Sequence, residues 1–99
     1  MEKILGWEEL KQKVELHRRR GDKIAFTNGC FDILHVGHVR YLREARKAGD
    51  LLVVALNSDA SVRAIKGAKR LLVPQRQRAE VIASLEAVDY VTLFDETTP

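Results

Sequence analysis

Ile24-Ala25-Phe26-Thr27-Asn28-Gly29-Cys30-Phe31-Asp32-Ile33-Leu34-His35-Val36-Gly37-His38 runs from a short apolar stretch, through an Asn-Gly turn signal, into two histidines three residues apart. The run Ile24-Ala25-Phe26 predicts a buried strand over Lys23 to Asn28. Beyond the turn, Val39, Leu42, Ala45 and Arg46 keep the helical period from Val36 to Ala48, and Gly49 supplies a stop. Where a strand passes through a glycine turn into a helix, the helix amino terminus leaves backbone N–H groups unpaired and carries partial positive charge. An anion is therefore favoured there before any side chain contributes. His35 and His38 add two donors, expected on one helical face. Gly29 lets the backbone turn tightly and approach a ligand, and Gly37 is expected to remove a side chain from between the imidazoles, where a phosphate would meet a Cβ.

Outward from this stretch the pattern repeats. Before it, Trp7 to Leu16 reads as an amphipathic helix with Trp7, Leu10, Val14 and His17 on one face, and Gly21 ends it. After it, Leu51 to Leu56 is continuously apolar, as in a strand covered on both faces of a parallel sheet. Asn57-Ser58-Asp59 offers N-cap chemistry for a short helix to about Ile65, and Lys66 to Arg70 reads as a basic loop. Pro74 precedes a helix from Gln75 to Ala87 with Ala79, Val81, Ile82 and Leu85 as its buried stripe, and Asp89 to Phe94 is another strand. Strands alternating with helices imply an α/β fold with a doubly wound parallel sheet. Such a sheet binds ligands beyond the carboxyl ends of its strands. The glycine turn, Asn57 to Asp59 and the region after Phe94 all follow strands, so three segments are expected to converge on one crevice.

The chain has 99 residues, which bounds it to one domain. Its 17 Lys and Arg against 14 Asp and Glu give a formal charge of +3, which suits an anionic ligand but not a nucleic-acid-coating surface. The single Cys30 excludes an internal disulfide, and no apolar run approaches the roughly 20 residues that span a membrane. Met1 to Leu16 carries glutamates and lysines throughout and is not a secretory signal. A soluble, cytoplasmic protein without membrane or nucleic-acid partners is the expectation.

Each signal has a competing structural explanation. Two histidines near a helix start can simply cap it. Cys30, Asp32, His35 and His38 are also zinc-ligand types within nine residues, although structural zinc sites usually draw on a second ligand pair. Cys30 suits a tight turn as well as a thiol activated at a helix N-terminus. Asp32 can bond its own turn backbone, orient an imidazole or help to hold Mg²⁺. Asp59 can be a helix cap. Lys66, Lys69 and Arg70 form either a solvated loop or a phosphate clamp, and Arg18-Arg19-Arg20 suits a solvated helix end.

His35-Val36-Gly37-His38 matches the HxGH signature of the nucleotidyltransferase superfamily, and Gly29-Cys30-Phe31-Asp32 before it resembles the cytidylyltransferase-like branch. Gly49-Asp50, Val53-Val54-Ala55, Asn57-Ser58-Asp59-Ala60-Ser61-Val62, Lys66-Gly67, Arg78-Ala79-Glu80-Val81 and Val88-Asp89-Tyr90-Val91 extend the likeness over nearly the whole chain. Within the branch it is similar to the adenylyltransferase domains that make ADP-heptose from D-glycero-β-D-manno-heptose 1-phosphate and ATP for lipopolysaccharide precursors. The resemblance implies a Rossmann-like HxGH nucleotidyltransferase fold and an in-line attack of a sugar phosphate oxygen on the nucleotide α-phosphate, with pyrophosphate leaving and Mg²⁺ accompanying ATP. It implies catalytic roles for His35, His38 and Lys66. It implies nucleotide contacts at Asn28, Gly29, Cys30, Phe31, His35, Val36, Gly37 and His38, and substrate contacts at Asp32, Asp59, Lys66 and Arg78.

Two departures from the family pattern stand out. Gly67-Ala68-Lys69-Arg70-Leu71-Leu72 has leucines where relatives carry an Arg-Pro-Val stretch. The chain also stops at Pro99, so residues 1–99 are expected to be a first helix over 1–21 and three βα units, without the later units and their Ser-Thr-Thr motif. The first strand then presents a bare apolar edge. The resemblance implies that the chain pairs with a second copy or belongs to a longer polypeptide. Two alternatives stay open from the sequence: a CTP-using enzyme acting on glycerol 3-phosphate or a similar alcohol phosphate, and a catalytically incomplete nucleotide-binding module.

Overall fold

The computed structural model describes residues 2–31, 35–67 and 73–95. The elements are α1 (Trp7–Arg19), β1 (Ile24–Gly29), α2 (Val36–Arg46), β2 (Leu51–Asn57), α3 (Asp59–Lys66), α4 (Gln75–Ala83) and β3 (Tyr90–Phe94). The strands form one parallel sheet in the order β1-β2-β3, with Ile24 opposite Leu51 and Val53 opposite Tyr90. This is the expected α/β architecture.

The unbroken apolar run of β2 follows from its central place. Leu52, Val54 and Leu56 pack on one face with Leu42 of α2, Ala79 and Ile82 of α4, Val88 and Val91. Val53 points the other way, onto Leu5 and onto Leu10 and Val14 of α1. Alternation of side chains along a strand produces these two layers from consecutive residues. Each buried leucine here contributes roughly 2–5 kcal/mol against truncation to alanine.

Four local expectations are corrected. Trp7 is 61% exposed at the start of α1, and Leu5, outside the helix, takes the core position beside Leu10 and Val14. Helix α4 stops at Ala83 rather than Ala87. Ser84 Oγ donates to the Val81 carbonyl at 2.6 Å, and successive turn bonds, Leu85 N–H to Ile82 O and Val88 N–H to Leu85 O, swing the chain into β3. Val81 is 45% exposed, because Arg78, Ala79 and Ile82 take the inward side of α4. Helix α2 ends at Arg46, two residues early, with Lys47 as its C-cap.

The two edges of the sheet differ. Lys3 to Leu5 runs along the outer side of β3, with Val91 N–H donating to Lys3 O at 2.9 Å and Leu5 N–H to Val91 O at 2.8 Å. The outer side of β1 carries no strand among the described residues, and Phe26 is 55% exposed there. No helix among the described residues is long and apolar enough to cross a membrane.

Candidate functional site

The turn after β1 is held open by strain and close contact. Phe31 adopts φ +47°, the left-handed region that costs a side-chain-bearing residue about 1–3 kcal/mol. Its ring folds back over Gly29, where a Cβ would lie 2.9 Å from Phe31 Cε2. Glycine at position 29 thus makes room for the neighbouring ring.

The histidines occupy different positions from those expected. His35 is the N-cap of α2, in extended conformation, and only His38 lies within the helix. Gly37 N–H donates to His35 Nδ1 at 3.0 Å, and His35 N–H donates to His38 Nδ1 at 3.2 Å. This is a capping box built from imidazoles instead of the usual hydroxyl and carboxylate. A backbone N–H can only donate, so each neutral ring is unprotonated at Nδ1 and carries its proton on Nε2. The ring centroids lie 4.2 Å apart, and Phe31 stacks edge-on against His38 at 5.3 Å. Two N–H donors of fixed tautomer therefore stand side by side at a helix N-terminus.

Gly37 is required for a reason beyond the one expected. A Cβ there would lie 2.6 Å from His35 Cε1 and 2.9 Å from Nδ1, so it would expel the capping imidazole itself.

The carboxyl ends of the strands are joined by polar groups. Cys30 Sγ reaches Asn57 Oδ1 at 3.7 Å, and Ser58 N–H donates to Phe94 O at 2.9 Å. Ser58 Oγ donates to the Asp95 carboxylate and also caps α3 by accepting from Ser61 N–H. The glycine turn, the end of β2 and the residues after β3 do meet at one end of the sheet.

Arg78 lies beneath this junction with its side chain 1% exposed. Its Nε donates to Val73 O at 2.9 Å, and Nη1 donates to Cys30 O at 2.6 Å and Asn57 O at 2.8 Å. Its Nη2 donates to Asp59 Oδ1 at 2.8 Å. Asp59, expected as a cap or substrate contact, also accepts from Gln75 N–H at 3.2 Å, while Gln75 Oε1 accepts from Asp59 N–H at 2.8 Å. Burial pushes the Asp59 carboxyl upward, but the Arg78 and Gln75 hydrogen bonds and the charges of Arg78 and Arg63 outweigh it and hold it below the usual aspartate range.

Of the other sequence candidates, Asn28 and Val36 are exposed at the end of β1 and the start of α2, and Cys30 is half-buried. Lys66 is exposed at the end of α3. Asp32, Lys69 and Arg70 lie outside the described residues. Arg18 and Arg19 end α1, and Arg20 pairs with Asp22. Among the described residues no group of three or more His, Cys, Asp or Glu is arranged to hold a metal ion. Gln75 was not singled out from the sequence, and Asn57 and Asp95 entered only as parts of the segments expected at the crevice after β2 and β3. Asn57 and Asp95 had one available signal, since each directly ends or follows a strand at the ligand-binding end of the sheet.

Comparison with known proteins decides the family. Residues 26–99 match the cytidylyltransferase-like family model. The chain belongs to the cytidylyltransferase-like family. It is 60% identical over 96 residues to the bifunctional protein HldE of Pectobacterium carotovorum, and 56% identical over 97 residues to that of Syntrophotalea carbinolica. These alignments cover 97% and 98% of the chain, which spans about a fifth of the length of either relative, 20% in each case. Among solved structures, the lipopolysaccharide core biosynthesis protein of Thermoplasma volcanium superposes with a TM-score of 0.67 at 36% identity, covering 75% of this chain and 59% of that one. The matched region of the cytidylyltransferase-like chain includes β1 from Phe26 onward, the glycine turn, both histidines and Arg78.

Proposed function

We propose that this cytidylyltransferase-like chain transfers AMP from ATP to a sugar 1-phosphate, D-glycero-β-D-manno-heptose 1-phosphate, giving an ADP-sugar and pyrophosphate. The observation that carries the reading is the imidazole pair, with both proton-bearing Nε2 atoms fixed by backbone donors at the N-terminus of α2. The acceptor's phosphate oxygen is already anionic and needs no general base. The protein's task is to align it with the α-phosphorus and to stabilise charge on the phosphoryl oxygens. His35 and His38 donate to those oxygens, the helix dipole adds positive potential, and Lys66 contacts a phosphate. Asn28, Cys30, Phe31, Val36 and Gly37 line the nucleotide. Asp32 and Asp59 belong to the substrate side.

The described donors at the turn are imidazole nitrogens and a thiol, and the Asp59 carboxylate is taken by Arg78 and Gln75. Magnesium favours carboxylate and phosphate oxygens. These residues do not fit a resident magnesium ion, so Mg²⁺ enters as part of the substrate, on the phosphates of ATP. Adenine and heptose as the preferred groups rest on the overall sequence likeness, supported by a structural neighbour named for lipopolysaccharide core biosynthesis. The exposed side of β1 supports coverage by further polypeptide in the working protein, a second copy or more of a longer chain, which sedimentation would read as mass.

A pyrophosphate-release assay with ATP or CTP, each combined with a panel of sugar and alcohol phosphates, tests the reading. Release is expected with ATP and the heptose 1-phosphate. Release only with CTP and glycerol 3-phosphate would replace the substrate assignment. Nucleotide binding without release from any pair would reduce the chain to a binding module.

A further inference from the structure

We infer that Arg78 is a positioning residue for nucleotidyl transfer, acting through the backbone of the glycine turn without touching the substrate. The inference rests on the transfer reaction proposed above. Four of the five guanidinium N–H donors are already placed on protein acceptors, and the side chain is 1% exposed, so a substrate phosphate has no route to it. What it holds is specific. One nitrogen, Nη1, bridges the carbonyls of Cys30 and Asn57, the residues at which β1 and β2 release the chain toward the site.

The turn needs such a tether. Cys30 and Phe31 belong to neither strand nor helix, and Phe31 is in a strained conformation that persists only where its surroundings enforce it. The Cys30 carbonyl is its nearest anchoring point to Phe31, and Phe31 in turn stacks on His38. A shift of the Cys30 carbonyl is therefore passed to an imidazole and to the backbone facing the phosphates. An apolar residue could fill the volume at position 78 but would strip Asp59 of its cation, and removing one partner of a buried ion pair is destabilising. It would leave three carbonyls unbonded and the turn untied. The planar guanidinium reaches all four acceptors at once, which a lysine ammonium on a flexible stem cannot do.

The test compares Arg78→Lys with Asp89→Asn in the full-length protein. Asp89 ties β2 to β3 at the opposite end of the sheet, where its carboxylate accepts from Leu52 N–H at 2.8 Å. Both variants are assayed for pyrophosphate release well below their melting temperatures, and amide hydrogen exchange is followed at Cys30, Phe31 and the start of α2. For Arg78→Lys, kcat should fall roughly 100-fold with KM for both substrates within about twofold, since small misplacement costs that much in alignment. Exchange should rise at the turn and not in α1. Asp89→Asn should leave kcat and turn exchange unchanged. An active wild type with unaltered kcat in Arg78→Lys overturns the positioning role and leaves the transfer reading intact. A raised KM with normal kcat also overturns it, in favour of direct substrate contact. No release from the wild type defeats the transfer reading itself, and the inference with it. If Arg78→Lys does not fold, Arg78→Gln is read in the same way, and failure of both to fold makes Arg78 a folding residue only.

Discussion

The two ends of the sheet are both cross-linked by polar side chains, yet they are built for different purposes. At the amino ends of the strands several polar side chains close on the protein. Asp50 accepts from Lys23 N–H, Asp89 from Leu52 N–H, and His17 links Asp22 to the Tyr90 hydroxyl through its two ring nitrogens. At the carboxyl ends the same economy operates below the surface, where Arg78 and Asp59 are engaged, while the imidazoles above cap their helix through Nδ1. At one end His17 of α1 reaches β3 through Nε2 and the Asp22 loop through Nδ1. At the other, each histidine accepts a backbone N–H at Nδ1, which fixes the direction of its Nε2.

Breaking the site end at its surface should have the largest effect. His35→Ala and His38→Ala should each lower turnover by about 10²–10³-fold, because each removes a preorganised donor to the phosphoryl oxygens. Pyrophosphate release measures the loss and far-ultraviolet circular dichroism checks the fold. His35→Ala also removes the cap of α2, which costs about 1 kcal/mol if imidazole behaves like other caps. Unchanged turnover in both variants would erase the contrast between the two ends.

Breaking the buried layer should act on stability. Arg78→Ala leaves the Asp59 carboxylate without its cation and three carbonyls without a donor, a loss of about 3–5 kcal/mol in urea unfolding. Gly37→Ala separates cap from core. Its Cβ must displace the His35 ring, so turnover should fall about 10-fold, equivalent to roughly 1.4 kcal/mol in the barrier. Asp89→Asn, at the closed end, should cost only about 1 kcal/mol.

Acid sharpens the comparison at smaller amplitude. Asp22 is held below the usual range by hydrogen bonds from His17 and then Arg20, with burial opposing them, and Asp59 is depressed at the other end. A carboxylate depressed in the folded chain binds fewer protons than in the unfolded one. Its stabilisation is complete above the unfolded value, near 3.8, and disappears as pH falls through the lower folded value. Melting temperature should therefore drop with acidification below about pH 4. The slope should flatten in Asp59→Asn and in Asp22→Asn, and an equal slope in all three proteins would remove this account.

Much of the fold was legible because burial writes itself into short sequence periods. The apolar run Leu51 to Leu56 required cover on both faces, and Leu10 and Val14 fell at helical spacing. Trp7 and Val81 misled because an apolar residue inside a helical period carries no label for the face that a neighbour covers. Leu5 took the position next to Leu10 from outside the helix, and Leu85 packs against the core from the turn after Ala83 rather than from the helix. At the site, the histidine pair and its glycines were visible as residue types. Their hydrogen bonds were not, since a cap depends on φ and ψ at one residue.

The sequence by itself determined a parallel α/β sheet and a strand-to-helix junction that carries two glycines and two histidines, because local periodicity and turn chemistry act over a few residues. Only the tertiary structure decided that His35 caps instead of riding the helix, that Gly37 makes room for an imidazole, and that Arg78 is a tie beneath the site. Arg78 meets Cys30 across 48 positions in sequence, and a contact at that distance exists only after β1, β2 and α4 have been brought together by the core.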